Sequence, residues 1–149
     1  MFFQGYGPLL WAGTLMTAKL AVLSLAAAVT LGLAGAAAKL SNNRLAAALG
    51  TFYTTLIRSV HDLVLMLLLF YGIQILLNDF TDLLNWDQID IDPFWAGVIT
   101  LGFIYGAYFA ETFRGAFLAV PRGQLEAGFA FGMSRSRVFR RILFPQMMR

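Results

Sequence analysis

Apolar residues run along this chain in long blocks, and the polar positions fall between the blocks instead of alternating with them. The first charge after Met1 is Lys19, and no other follows from Leu20 to Ala38. A helix needs about 20 apolar residues to cross a hydrocarbon core about 30 Å thick, so a first membrane span is predicted over about 9–38. A removable signal peptide would carry a basic n-region and a shorter h-region; a first charge as late as Lys19 favours a retained span. Within it Ala28, Gly32 and Ala36 form a small-residue face along which another helix could approach closely.

Lys39, Ser41, Asn42, Asn43 and Arg44 interrupt the pattern and are expected to form a first aqueous connection. The next uncharged block, Leu63 to Leu77, is short for a span, so a helix is predicted over about 51–77, with a short helix or bend before it. At 1.5 Å per residue that length lets Arg58 lie near one interface. Asn78 to Asp92 then holds Asp79, Asp82, Asp87, Asp90 and Asp92 with no basic residue, with Trp86 within it and Trp95 just beyond. This is expected to be an exterior loop over 78–92, its indoles at headgroup level. Pro93 suits the first turn of a helix, and a third span follows over about 94–118, where Gly102, Gly106 and Ala110 repeat the small-residue spacing.

Composition agrees with this picture: 59% of residues are hydrophobic and 13% are charged, about half the charged share of a soluble domain. The fold class expected is all-α, polytopic in a membrane. With no cysteine, neither a disulfide nor a thiolate metal site is open to the chain, and His61 stands alone as a metal ligand candidate. The net charge of +3 does not point to nucleic acid, because the basic residues collect beside the spans and no stacking platform accompanies them. Between Ala119 and Arg149 six arginines (122, 135, 137, 140, 141 and 149) face Glu126 alone. The positive-inside rule places this segment and the Lys39–Arg44 connection in the cytoplasm, the aspartate loop outside, and the N-terminus outside.

Ionisable groups within spans require a partner or water. Arg58 and Asp62 have i,i+4 spacing and are read either as making a structural ion pair or an interhelical hydrogen bond, or as part of a polar transport route. Glu111 and Arg114, at i,i+3, are read as a neutralised pair at the cytoplasmic end of the third span, with contact to substrate or another subunit as the alternative. Tyr71, Gln74, Tyr105 and Tyr108 add polar groups to apolar segments, either as belt and packing residues or as lining of a route. Arg58, Asp62, Tyr71, Gln74, Tyr105, Tyr108 and Glu111 are thus the candidate pathway residues. No catalytic constellation is expected.

The segment 121–145 is predicted to form a short amphipathic helix pair at the membrane face: one helix over Gln124 to Phe131, a break at Gly132, and a second capped by Ser134 and running through Val138, Ile142 and Leu143. Pro145 is expected to halt or redirect it, or to start the next span. Glu126-Ala127-Gly128, Gly132, Ile142 and Phe144-Pro145 resemble the EAA motif of binding-protein-dependent ABC importer permeases, Glu-Ala-Ala, three residues, Gly, nine residues, then Ile-x-Leu-Pro. Gly128 stands where Ala is usual and Phe144 where Leu is usual. Thr54 to Val60 with Asp62 to Leu67, and Ile104 to Tyr108 with Glu111 to Ala116, resemble the core of the polar amino-acid permeases, and the whole chain is similar to the HisQ-type permease subunits for histidine, lysine, arginine and ornithine. His61 departs from that pattern, which has proline there; histidine is expected to continue the helix where proline would kink it, so restoring proline is expected to change the geometry near Arg58.

The resemblance implies a type I ABC importer permease with five spans, of which this chain carries three, so the subunit is expected to be incomplete. It implies that Glu126, Ala127, Gly128, Gly132, Arg135, Arg137, Ile142 and Pro145 belong to a coupling element docking on an ATPase. The implied partners are a related permease, two cytoplasmic ATPase copies, a periplasmic solute-binding protein, a basic amino acid and the lipid bilayer of a bacterial inner membrane. ATP and Mg are expected on the ATPase, since no Walker A pattern occurs in this chain. A membrane anchoring or assembly protein, binding a cytoplasmic partner through Glu126 to Arg141, is the alternative.

Overall fold

The computed structural model describes residues 6–83 and 91–147. Helix α1 (Gly7–Leu40) is followed by α2 (Arg44–Ser59), α3 (Asp62–Leu83), α4 (Pro93–Ala119) and α5 (Arg122–Ala130). A short α6 (Arg135–Val138), a π-helical turn (Phe139–Leu143) and α7 (Phe144–Met147) close the described part. Three helices, α1, α3 and α4, are long and apolar enough to cross a membrane.

Helices α1 and α4 run parallel and form the core of the bundle. The two small-residue rows predicted from the sequence face each other: Ala28, Gly32 and Ala36 are buried on α1, and Gly102, Gly106 and Ala110 on α4. The approach is close enough that a Cβ added at Gly32 would lie 2.5 Å from Phe109 Cβ, and one at Gly102 would lie 2.7 Å from Ala27 Cβ. Lipid tails are as apolar as the helices, so contact of this kind, not exclusion from water, holds the pair together.

The helix predicted over 51–77 is two helices. α2 ends at Ser59, Val60 is extended (φ −109, ψ 145), and α3 starts at Asp62. His61 does not continue the helix but caps the next one: its Nδ1 accepts from Leu63 N at 3.3 Å, and its carbonyl accepts from the amides of Val64 and Leu65. The extended backbone at Val60 is the conformation a residue before proline prefers, so the break that proline would impose is already present with histidine. α3 also runs through Leu83 into the stretch expected to be a loop, whose positions 84–90 lie outside the described residues.

α2 buries Gly50, Thr54 and Ile57 on one face. It crosses the middle of α4, where Ile57, Leu65, Ile104 and Ala107 form a small core, and Tyr53 OH donates to Phe103 O at 2.5 Å. α3 then runs antiparallel to α4, from Asp62 beside Tyr108 to Gln74, whose Oε1 accepts from Ile91 N at 3.0 Å.

Candidate functional site

Two groups of polar side chains converge on the second half of α4. The first surrounds Tyr108, a little past the helix's middle. Its hydroxyl donates to Asp62 Oδ1 at 2.8 Å, and the Arg58 guanidinium lies over its ring, 5.6 Å from the centroid. Among the described residues Asp62 makes the interhelical hydrogen bond, to Tyr108, and not the i,i+4 ion pair with Arg58. That pairing needs one continuous helix, and the break at Val60–His61 removes it; each side chain engages Tyr108 instead. A cavity of about 450 Å³ opens here between Arg58, Ser59, His61, Asp62 and Tyr108.

One turn further along α4, Glu111 gathers the second group. Arg114 Nε donates to its Oε2 at 3.1 Å, as the i,i+3 spacing predicts. Its other oxygen is ion-paired with Lys39 and accepts from Thr54 Oγ1 at 3.2 Å, while Lys39 Nζ donates to Thr54 Oγ1 at 2.8 Å. Lys39 is therefore not in an aqueous connection: it is part of α1, and its side chain is 10% exposed. Both Lys39 and Thr54 were outside the sequence-derived site. The signal was there in spacing, since Lys39 follows Ala36 by three residues on the buried face of α1. A cavity of about 370 Å³ lies between Lys39, Thr54, Thr55, Arg58, Ser59 and Glu111, and shares Arg58 and Ser59 with the first.

The remaining pathway candidates are not brought to this site. Tyr71 is nine residues beyond Asp62 along α3, about 14 Å of helix, and is largely exposed. Gln74 joins α3 to the start of α4: Nε2 donates to Asn78 Oδ1 at 3.0 Å and Oε1 takes the Ile91 amide. Tyr105 stands beside Tyr108, with ring centroids 6.2 Å apart, but lines a different, apolar cleft with Leu20, Ser24 and Phe109 between α1 and α4.

Beyond α4 the chain folds into a hairpin. Gly132, at φ 75, adopts the left-handed conformation that glycine takes without steric cost. Gly132 N donates to Phe129 O and Met133 N to Gly128 O, the bond pair of a Schellman motif. Gly128 is buried because Ile142 and Val138 pack on it; an added Cβ would lie 2.6 Å from Ile142 Cδ1. Glu126, Ala127, Arg135 and Arg137 are exposed on this hairpin. Ser134 occupies the cap position of α6 without a side-chain bond. Pro145 does not halt the chain's helical course; it is the second residue of α7. The π-helical turn before it carries an i→i+5 bond from Phe144 N to Phe139 O, and the chain continues as α7 through Pro145. A proline lacks the amide that an α-helical ladder requires, and a π-turn changes the bonding pattern immediately ahead of it.

Among the described residues no group of His, Asp or Glu could hold a metal ion. Three apolar helices, polar groups collected inside the bundle and an exposed glycine-turned hairpin define a polytopic membrane protein. Residues 28–149 match the family described as "Binding-protein-dependent transport system inner membrane component", and the chain belongs to that family. It is 60% identical over 145 residues to the histidine/lysine/arginine/ornithine transport system permease protein HisQ of Escherichia coli (strain K12), covering 97% of this chain and 64% of that protein. It is 36% identical to the arginine ABC transporter permease protein ArtQ of the same strain, over 90% of this chain and 62% of that one. A crystal structure of an amino acid ABC transporter with histidines has a similar fold (TM-score 0.73, 31% identity, 96% of this chain and 62% of that chain). The chain thus spans about 64% of the length of the HisQ relatives it matches.

Proposed function

We propose that this chain is the membrane permease subunit of an ATP-driven importer for basic amino acids: histidine, lysine, arginine and ornithine. The observation that carries the reading is the 60% identity to HisQ over 97% of the chain. The subunit works with a related permease, two ATPase copies holding ATP and Mg, and a periplasmic solute-binding protein. It catalyses no bond chemistry itself. The N-terminus faces the periplasm, and the hairpin 121–145 faces the cytoplasm.

The hairpin is the coupling element. Glu126 and Ala127 face outward to meet the ATPase, Gly128 and Ile142 hold the two arms together, Gly132 makes the turn, and Arg135 and Arg137 supply charge for acidic partner groups. Pro145 and the π-turn set the return toward the membrane. Closure of the ATPases moves this rigid unit, and the motion reaches the polar groups on α4, which is coupling between separated sites. Arg58, Asp62, Tyr108 and Glu111 lie along the route, since polar side chains well inside a bundle mark pathways more often than lipid contacts. Tyr71, Gln74 and Tyr105 serve that route at most from outside the Tyr108 and Glu111 groups.

Uptake of radiolabelled histidine, lysine and arginine into proteoliposomes carrying the full-length subunit and its partners tests the reading. ATP-dependent uptake is expected to vanish with E126A combined with G132A while the subunit remains inserted; full uptake in that variant overturns the coupling role. Cysteines at Asp82 and Arg137 test orientation: an impermeant reagent added to intact cells is expected to reach the first and not the second.

A further inference from the structure

Two carboxylates stand beside the second half of α4, and their surroundings differ. Glu111 has both oxygens engaged: Lys39 is paired with Oε1, and Arg114 Nε donates to Oε2 at 3.1 Å. Two cations less one anion leave that group at +1, and Arg58 adds a further cation to its cavity. A positively charged solute is repelled there. Asp62 accepts one hydrogen bond, from the Tyr108 hydroxyl to Oδ1 at 2.8 Å. Among the described residues it has no ion pair, and its Oδ2 has no partner. The side chain is half-buried and lines the cavity of about 450 Å³ at the break between α2 and α3, together with Arg58, Ser59, His61 and Tyr108.

A carboxylate inside a membrane bundle calls for a cation or water. Arg58 does not supply that cation: its guanidinium lies over the Tyr108 ring and makes no ion pair among the described residues. The cavity thus offers one uncommitted anion and one uncommitted cation, in a volume within the range of small-molecule sites, about 300–1,000 Å³. Every free amino acid brings an α-carboxylate, which suits the planar fork of a guanidinium. It also brings an α-ammonium, for which the last carbonyls of α2 are suited, since the final turn of a helix leaves its carbonyls without intrahelical donors. Those two groups are common to all amino acids, and they leave Asp62 unmet. A second cation, on the side chain, meets it.

We propose, on the basis of the importer reading above, that Asp62 is the residue that selects basic over neutral amino acids. Its free oxygen takes the cationic side chain of the substrate while Arg58 holds the α-carboxylate. Glu111, already held by Lys39 and Arg114, does not select.

The test uses the full-length subunit with its permease partner and ATPases in nanodiscs, with the solute-binding protein left out so that its own selectivity does not enter. Dissociation constants for arginine and for citrulline, its neutral near-isostere, are measured by saturation-transfer NMR. Wild-type protein is expected to hold arginine about tenfold more tightly or better, the scale of a hydrogen bond between charged groups. D62N, whose amide oxygen still accepts from Tyr108, is expected to bring the ratio to about one, and D62E, which returns the charge, to restore part of it. R58Q is expected to weaken both ligands alike. A wild type without preference, a preference unchanged in D62N, a D62E protein no more selective than D62N, or an R58Q protein that binds as the wild type does overturns the assignment. If wild-type proteoliposomes still take up arginine, the importer reading survives any of these results; if they do not, both fall.

Discussion

Helices α1 and α3 are both apolar enough to span a membrane, yet they are built into the protein in different ways. α1 buries Ser24, Ala28, Gly32 and Ala36 in a line against α4, so closely that two of its glycines have no room for a methyl group. α3 buries only Leu65 and Thr81 among the described residues, and Leu63, Leu67, Leu68, Tyr71 and Leu76 remain largely exposed. Apolarity therefore gives a helix its solvent, while small residues at i,i+4 spacing give it a neighbour. α3 is tied to α4 by particular groups, Asp62 on Tyr108 and Gln74 on Ile91, rather than by a continuous interface.

The contrast breaks most severely at Lys39. K39M leaves Glu111 and Thr54 without their cation in a site whose ionic side chains are 10% and 19% exposed; loss of one partner from a buried pair costs about 3–5 kcal/mol. Thermal unfolding in detergent should show this, and K39M combined with E111M should recover most of it. G32A forces a methyl group against Phe109 Cβ and the Ala110 backbone, and is expected to cost about 1–3 kcal/mol as overpacking. Y108F removes the hydroxyl that joins α4 to Asp62, with an expected loss of about 1–2 kcal/mol for a bond to a charged group, seen as faster amide exchange in the first turns of α3. At the small end, G72A on α3 meets nothing within 4 Å and should be neutral or stabilising by up to about 1 kcal/mol from helix propensity. H61P should leave spin-label distances across Val60 unchanged, because the backbone is already extended there; a marked shift would show that histidine holds a different bend from proline.

The sequence made the α1–α4 contact legible because close approach has a strict chemical requirement, and Ala28, Gly32, Ala36, Gly102, Gly106 and Ala110 satisfy it visibly. Gly132 was legible for the same kind of reason: a left-handed turn selects glycine. The break at Val60–His61 was hidden, since neither residue is a helix breaker and the cap is made by a histidine ring nitrogen, a minor role for that side chain. Lys39 was misjudged because a lysine beside serine and asparagines resembles a solvated connection; only its register with Ala36 places it on the buried face. Arg58 and Asp62 were found as residues but not as a geometry, because their spacing has meaning only along an unbroken helix. Pro145 was read as a stop, a bend or a new start because a proline's local rule allows each, and the π-turn that precedes it has no sequence signature of its own.

That π-turn also fixes an angle. A single residue accommodated within one turn rotates everything beyond it by about 100° about the helix axis relative to an unbroken α-helix. The azimuth of the chain after Leu143 is therefore set by the number of residues between Val138 and Pro145 rather than by their identity. Deleting one of them would swing the following segment around as a unit, an injury that no repacking of side chains at Ile142 or Phe144 could undo.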